Sequence, residues 1–464
     1  MKKNLALISM LLVCVMMLAS CSSILQVLPA PMTAKQVERR VNIKMADVKS
    51  YRVDVEMTYV AYSGTTKITG TAEGIMIEDQ GENNDDYYSY VEMVNNMKSN
   101  SSSFKIRNVD AYVDGRAFSM FGDGDITRRL YSEMTLKEYN AYRQGESLTE
   151  MNLEDCENAE MEKTDSGYVL KYSGYSAEAV EDFAKLSGME EDVFGKELKD
   201  LIVTMEVSKD YLPQKITLEM VFDVEEGSYY QPKSTMTMTY SQFNQAERIT
   251  RGLNVENYTE IESLSLLKDL QQLIDDRIDA KKGSFTHTAS QSVSLMTQSE
   301  KSNQTNKVSF ERTKDGLTFS ADVSSNQAAS SHIEYSNGEQ HTEINGVSNT
   351  TKMKEEKAQA FIAELINDPA TGYNTNYVSN IEKTDTGYRV TMAVSKNNAL
   401  GQSITSTGAT FGSGTHTIEF VLDGDQLKCM NVEYAARGAV TLNFGWDTSI
   451  ATLHLNGSSS VTFE

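Results

Sequence analysis

Histidine is the side chain best suited to acid–base or metal chemistry near neutral pH, and this chain has only five. They are His287, His332, His341, His416 and His454. None stands at a His-x-x-x-His or other metal-ligand spacing, and the chain contains no Gly-x-Ser-x-Gly elbow, phosphate-binding loop or Cys-x-x-Cys pair. The sequence therefore predicts a non-enzymatic protein without a metal ion or cofactor, in which the histidines occupy exposed or strand-face positions.

One aspartate-containing segment, Asp123–Thr127, has the alternating oxygen atoms that open a calcium-binding EF-hand loop. The next positions do not fit, because Arg128 stands where the loop needs glycine and Met134 stands where a bidentate glutamate closes the site. We interpret this segment as a hairpin turn. The same interpretation applies to Asp423-Gly-Asp425.

The chain is acidic, with a formal net charge of −23. Nucleic acids and anionic lipid surfaces attract basic proteins, so this charge excludes both as electrostatic partners. The acidic run Glu78–Asp86 is typical of a solvated loop, because neighbouring like charges repel each other and stay hydrated.

The N-terminus has the parts of an export signal: Lys2 and Lys3, an apolar run over Leu5–Met17, and small residues before Cys21. The apolar run is too short to span a bilayer. The motif Leu18-Ala-Ser-Cys21 resembles a bacterial lipobox. The resemblance implies that Cys21 receives a diacylglyceryl group and becomes the new N-terminus, and two acyl chains suffice for stable anchoring.

These features predict a signal peptide over residues 1–20 and a flexible tether over residues 21–32, with the folded part at the extracytoplasmic face of the cell membrane. The alternative is an ordinary secretory signal in which Cys21 is incidental. Of the other cysteines, Cys14 lies in the signal, whereas Cys156 and Cys429 lie in different halves of the chain. A disulfide between those two and a pair of isolated thiols are both open, and we favour isolated thiols.

The remaining chain contains a weak internal repeat with an offset of about 220 residues, which predicts two copies of one domain over 33–250 and 257–464. Each copy begins with a capping-box pattern, Thr33-Ala-Lys-Gln36 and Thr259-Glu-Ile-Glu262, which predicts a helix start.

Two further pairs of segments match between the copies. Ala111-Tyr-Val-Asp-Gly115 corresponds to Glu334-Tyr-Ser-Asn-Gly338, and both contain an Asp-Gly or Asn-Gly hairpin turn. Glu162-Lys-Thr-Asp-Ser-Gly-Tyr168 corresponds to Glu382-Lys-Thr-Asp-Thr-Gly-Tyr388, a turn that leads into a strand. The copies are expected to differ at one place, where the first has a helix over Ser176–Leu186 and the second has only the Gly-, Ser- and Thr-containing segment 396–408.

Strict apolar/polar alternation over Tyr51–Tyr59 and similar patterns elsewhere predict long antiparallel strands. The fold class is therefore α+β: two tandem copies of a curved antiparallel β-sheet, a half-barrel, packed on helices. An N-terminal helix after a lipobox, followed by such a sheet, is similar to the LolA/LppX-like lipoproteins, and the chain resembles surface lipoproteins of Firmicutes. The resemblance implies a concave face that holds an acyl chain or another apolar ligand.

Two residue types are candidates for contact with a ligand or partner, although the ligand-binding residues themselves are unknown from the sequence. Flexible methionines on strands suit an adaptable apolar pocket and an ordinary core equally well. They include Met205, Met220, Met236 and Met238. The pairs Tyr87-Tyr88 and Tyr229-Tyr230 suit exposed adhesive positions.

The sequence thus predicts a membrane-anchored lipoprotein that binds or carries an apolar or amphiphilic molecule. A structural or protein-interaction module of the cell envelope, without a small-molecule ligand, is the alternative. A hydrolase is a third class, which needs polar groups that converge in a cleft. The partners are the membrane, through the lipid anchor, and a lipid or other apolar ligand, with no nucleic acid; the oligomeric state is unknown.

Overall fold

The computed structural model describes residues 32–63, 66–82, 86–98, 103–144, 156–180, 198–222, 233–314, 316–443 and 448–464. These residues are mostly in β-strands and form two large open antiparallel sheets with helices. The chain divides into two compact units: residues up to Tyr258 without Arg128–Leu130, and those three residues with Thr259–Glu464. The predicted signal peptide and Cys21 lie outside the described residues.

The first unit has two helices and eleven strands within its described part. They are α1 (Ala34–Ala46), β1 (Ser50–Ser63), β2 (Thr66–Asp79), β3 (Tyr88–Lys98), β4 (Ser103–Val113), β5 (Arg116–Gly122), β6 (Thr127–Glu133), α2 (Leu136–Gln144), β7 (Cys156–Lys163), β8 (Gly167–Tyr175), β9 (Leu198–Ser208), β10 (Pro213–Phe222) and β11 (Lys233–Ser241). A helical turn, Ala177–Val180, follows β8.

The predicted start of α1 is confirmed. The Thr33 hydroxyl accepts a hydrogen bond from the backbone N–H of Gln36, whose side chain accepts one from the N–H of Thr33. This reciprocal pair satisfies two backbone donors that the first helical turn cannot satisfy internally. Val37 and Val41 lie on the buried face of the helix.

The second unit has its own set of elements. They are β12 (Thr259–Glu260), α3 (Leu266–Ile278), β13 (Lys282–Leu295), β14 (Gln298–Thr313), β15 (Gly316–Ser325), β16 (Ser331–Ser336), β17 (Glu339–Ile344), β18 (Val347–Lys352), α4 (Glu355–Ile366), β19 (Val378–Thr384), β20 (Gly387–Met392), α5 (Ala399–Thr405), β21 (Thr410–Asp423), β22 (Gln426–Asn443) and β23 (Thr448–Phe463).

The predicted capping box at Thr259 is wrong. Thr259 and Glu260 form the short strand β12, and the helix begins only at Leu266, where Ser265 makes no side-chain cap. The capping-box pattern therefore occurs here in a segment that forms a strand. Because no helix follows Thr259 directly, its side chain has no first helical turn to cap.

The two sheets have the same strand order. The eleven strands of the first unit follow β6-β5-β4-β3-β2-β1-β11-β10-β9-β8-β7, and those of the second follow β18-β17-β16-β15-β14-β13-β23-β22-β21-β20-β19. In each unit one helix precedes the first of these strands and another follows the sixth. That this common order arose by duplication of one domain stays a prediction.

The expected difference between the copies at segment 396–408 is wrong. Ala399–Thr405 form helix α5, and the Asn398 side chain accepts a hydrogen bond from the N–H of Gly401 at its start. Glycine and threonine lower helix propensity, but Leu400 and Ile404 are buried against the sheet and make the helix favourable.

Matched turns have matched backbone conformations. Asp114 and Gly115 both have positive φ, as do Asn337 and Gly338, so each pair forms the tight hairpin turn that the sequence predicts. The segments Asp123–Thr127 and Asp423-Gly-Asp425 also connect neighbouring antiparallel strands, as predicted.

At two equivalent turns, one in each unit, the backbone conformation and the close packing require glycine. Gly167 and Gly387 have φ values of 155° and 154°, and a side-chain carbon would collide with the carbonyl oxygen of Val207 at the first and of Phe420 at the second. Only glycine adopts this backbone conformation at no steric cost.

Candidate ligand-binding site

The inner face of the first sheet is lined with methionine. Alternate residues of β1 point to this face, and Met57 lies opposite Ala72 of β2 and Met236 of β11. The predicted strand methionines all lie here and are buried. The buried methionines on this face are Met57, Met76, Met93, Met97, Met205, Met220, Met236 and Met238. Flexible, polarisable thioethers give this face an adaptable apolar surface.

Two asparagines interrupt this apolar face. Asn95 on β3 is 1% exposed and Asn108 on β4 is 4% exposed. Neither polar atom of the Asn95 side chain hydrogen-bonds to any described residue, and the Asn108 Nδ2 group also lacks such a partner. A buried polar group without a partner costs about 1–3 kcal/mol, so each asparagine needs an explanation beyond packing.

Strand register brings the two amides together. Asn95 lies opposite Ala72 and Ile106, whereas Asn108 lies opposite Met93 and Phe121. The pairs Asn95–Ile106 and Met93–Asn108 are successive pairs on the same face, so the asparagines are diagonal neighbours about 7–8 Å apart. All the side chains directly opposite them are uncharged.

A polar cluster lies farther along the same face, and its groups are satisfied. Glu78 accepts hydrogen bonds from the hydroxyls of Tyr51 (2.5 Å) and Tyr87 (3.0 Å), and Arg143 donates to Tyr87 and Ser89. Burial and the charge of Glu78 raise the pKa of Tyr51 well above its usual value, so the phenol stays protonated and donates to the carboxylate.

The predicted solvated loop at Glu78–Asp86 is partly wrong. Glu78 and Asp79 belong to β2, and Arg248 donates to both Asp79 and Asp86 at 2.7 Å. The Arg248 guanidinium holds the pKa of Asp86 below its usual value.

The expected exposure of Tyr87 and Tyr88 is also wrong. Both are buried, and the Tyr88 hydroxyl donates to the carbonyl of Ile249. The cause for Tyr88 is packing of the segment that follows β11, including Ile249 and Leu253, against the sheet. Tyr87 packs against the ring of Tyr112. Tyr229 and Tyr230 lie outside the described residues.

The second sheet does not repeat the methionine lining. In the first unit, one row across strands β9, β10 and β11 is buried and apolar: Val203, Leu218 and Met236. The corresponding row in the second unit is His416, Tyr434 and Gly457. The His416 imidazole donates from Nε2 to the carbonyl of Thr371, and burial lowers its pKa to about 4.

The other histidines do not form a metal site. The His287 ring accepts from the Asn306 amide at 2.9 Å, and His332 lies 2.7 Å from Asp322 on the exposed face. Within the described residues, no group of three or more His, Cys, Asp or Glu side chains is arranged to hold a metal ion. Cys156 and Cys429 are free thiols.

No described helix is long and apolar enough to cross a membrane.

No pattern in the sequence predicts the pair Asn95 and Asn108. An asparagine on a strand gives no indication of which sheet face it occupies until the register is known.

Comparisons with known proteins leave the family open. No family model matches the chain, and no curated protein matches it. Similar solved structures include the lipoprotein LppX of Mycobacterium tuberculosis, with 11% identity, 47% of this chain and 97% of that chain covered, and a TM-score of 0.25.

A putative AttH from Nitrosomonas europaea is 6% identical over 89% of this chain and 93% of that chain, with a TM-score of 0.13. The translocator domain of the autotransporter NalP from Neisseria meningitidis is 7% identical over 92% and 95%, with a TM-score of 0.10. An LppX lipoprotein, of the group that the sequence resembles, is among these similar structures. The resemblance to Firmicutes lipoproteins stays a prediction.

Proposed function

We propose that this protein is a membrane-anchored extracytoplasmic lipoprotein that binds an amphiphilic molecule on the inner face of its first unit, without catalysis. The observation that carries the proposal is a pair of buried asparagines within a methionine-lined face: both polar side-chain atoms of Asn95 and the Nδ2 group of Asn108 lack a hydrogen-bond partner among the described residues. The methionines suit the alkyl part of a ligand. The two amides suit a polar group that both donates and accepts hydrogen bonds.

The chemistry around the amides indicates the kind of polar group. Ala72, Met93, Ile106 and Phe121 lie directly opposite the asparagines and carry no charge. An anionic headgroup would be desolvated there next to the Asp110 carboxylate, which lies on the same face two residues from Asn108, at a cost of several kcal/mol. An ester, amide or hydroxyl group fits better, so the ligand class is a neutral amphiphile such as a monoacylglycerol.

The anchor in this proposal is Cys21, with the residues after it as the tether. Eleven residues, Ser22–Met32, extend at most about 35–40 Å, so the first unit stays close to the bilayer surface. Replacement Cys21→Ser is expected to release the protein from the membrane fraction of its host. Retention of the variant in the membrane would contradict the anchor.

The decisive test is native mass spectrometry of the mature chain, starting at Ser22 and purified without its lipid. We expect a defined adduct that extracts into organic solvent, or a mass shift when monooleoylglycerol is added. The double variant Asn95→Leu with Asn108→Leu is expected to lose the adduct. The control Asn96→Leu changes the neighbouring, half-buried residue on the other face of β3 and is expected to keep it.

The mass of the protein alone, both as purified and after addition of monooleoylglycerol, would contradict ligand binding. The envelope interaction module would then be the better hypothesis for the chain.

A further inference from the structure

Strand β18 is an edge strand with no protection against pairing. It is the last strand of the second sheet, and all six of its residues, Val347–Lys352, are exposed. It contains no proline, its pairing with β17 has no bulge, and its only charge is at Lys352. Proteins usually block a free edge with a proline, a bulge or several charged side chains, because an exposed edge pairs readily with another strand.

Other sheet edges of the same molecule do have this protection. Edge strand β7 carries Glu157, Glu160, Glu162 and Lys163. Edge strand β19 has a register shift near its start and charges at its end. The contrast marks β18 as an edge that is left open for pairing.

The direction of the free backbone groups follows from one hydrogen bond. The N–H of Met353 donates to the carbonyl of Gly338 at 2.9 Å, in register with the β17–β18 pairing. Bonded pairs alternate along an antiparallel ladder. Ser348, Thr350 and Lys352 therefore direct their backbone N–H and C=O groups away from β17, toward the open side.

We propose that this edge pairs with β18 of a second copy of the chain, antiparallel and about a two-fold axis at Thr350. In this register Thr350 lies opposite Thr350 of the second copy, and Ser348 lies opposite Lys352. The outward N–H and C=O groups of all three residues are then used by bonded pairs. The pairing places no like charges opposite each other.

Charge complementarity supports a second copy as the partner. Within one hairpin, Ser348 lies opposite Glu343. In the proposed dimer Ser348 also lies opposite Lys352 of the second copy. Glu343 of one copy and Lys352 of the other are therefore in the same cross-strand row. Their backbones are two strand spacings apart, about 10 Å, which the two long side chains span above the short Ser348. Neither Glu343 nor Lys352 has an ion-pair partner among the described residues, and the symmetry forms the pair twice.

The exposed apolar tip of the hairpin adds a contact next to this row. Ile344 and Val347 flank the Asn345-Gly346 turn and are 43% and 72% exposed. The interface is small, so the dimer is expected to be weak and to dissociate on dilution.

Analytical ultracentrifugation of the mature chain over a concentration series tests the dimer. We expect a monomer–dimer equilibrium whose Kd rises roughly tenfold in Glu343→Lys, because two attractive pairs become repulsive. The control Glu300→Lys makes the same charge change at an exposed position on β14 and is expected to leave Kd unchanged. A monomer at every concentration, or an equal effect of both variants, would overturn the proposal.

A mixing experiment identifies the pair itself. A second chain carries Lys352→Glu together with Glu339→Gln, which removes the like charge directly opposite position 352. Neither variant is expected to self-associate as strongly as the parent, but a mixture of this chain with Glu343→Lys restores both ion pairs and the heterodimer. Failure of the mixture to associate would exclude the Lys352–Glu343 pairing.

Amide hydrogen exchange gives a readout that a different dimer interface does not share. The amides of Ser348, Thr350 and Lys352 are expected to exchange slowly in the dimer and quickly on dilution. Those of Asn349 and Thr351 already bond to β17 and are expected to be protected in both states. Equal exchange of the first group at high and low concentration would place the interface elsewhere.

Discussion

Replacement of Asn95 by leucine is expected to stabilise the ligand-free protein while it abolishes binding. Asn95 is 1% exposed, and both polar atoms of its side chain lack a described partner. Leucine has nearly the same shape, so the change removes the desolvation penalty of the amide without opening a large cavity. The expected gain is about 1–3 kcal/mol in the free energy of unfolding of the first unit.

A gain of this size raises the melting temperature of a unit of this length by roughly 2–4 °C per kcal/mol. Urea unfolding and calorimetry of the delipidated mature chain measure it, with Asn96→Leu as the matched control. The second unit does not contain the substitution, so its unfolding transition is expected not to change. A loss of stability in Asn95→Leu would mean that the amide has a structural partner, and the ligand proposal would lose its main support.

Three further predictions concern the architecture. Gly167→Ala and Gly387→Ala are each expected to cost more than 1 kcal/mol, because the new carbon meets a carbonyl oxygen, whereas Gly424→Ala, with open space around it, is expected to cost less; thermal melts rank the three. Burial lowers the pKa of His416 to about 4, so the unfolded state takes up the proton first as the pH falls, and roughly 3 kcal/mol of stability is lost between pH 6.5 and 4. In urea titrations, His416→Gln is expected to flatten the dependence of the free energy of unfolding on pH. The same dependence in variant and parent would contradict this prediction. Asn398→Ala is expected to destabilise the second unit by about 1 kcal/mol through loss of the cap on α5, with no change in the first unit; equal melting of variant and parent would show that the cap is dispensable.

The parts of the fold that local chemistry determines could be predicted from the sequence. The capping box at Thr33 and the hairpin turns at Asp114 and Asn337 depend on a few adjacent residues, and the structure has all three. Thr259 shows the limit of such patterns, because the same residue types also form a short strand. Helix α5 was missed because burial of Leu400 and Ile404 outweighs the weak propensity of its glycine and threonine.

The candidate site could not be predicted in the same way. Which side of the sheet Asn95 and Asn108 face depends on the pairing of β3 with β4, and a shift of one residue would reverse it. Burial of Tyr88 likewise depends on Ile249, 161 positions away along the chain. The sequence gives the residue types but not the long-range pairing that makes two amides share a buried face.

The strand order also constrains when each unit folds. The first strand of each sheet pairs with the last: Val53 with Tyr240, and His287 with Val461. The pairs β1–β11 and β13–β23 cannot form until the last strand of their unit has been synthesised. Contacts so distant in sequence make folding slow. The last strand of the first unit ends at Ser241, so that unit can complete its sheet while the second unit is still being synthesised.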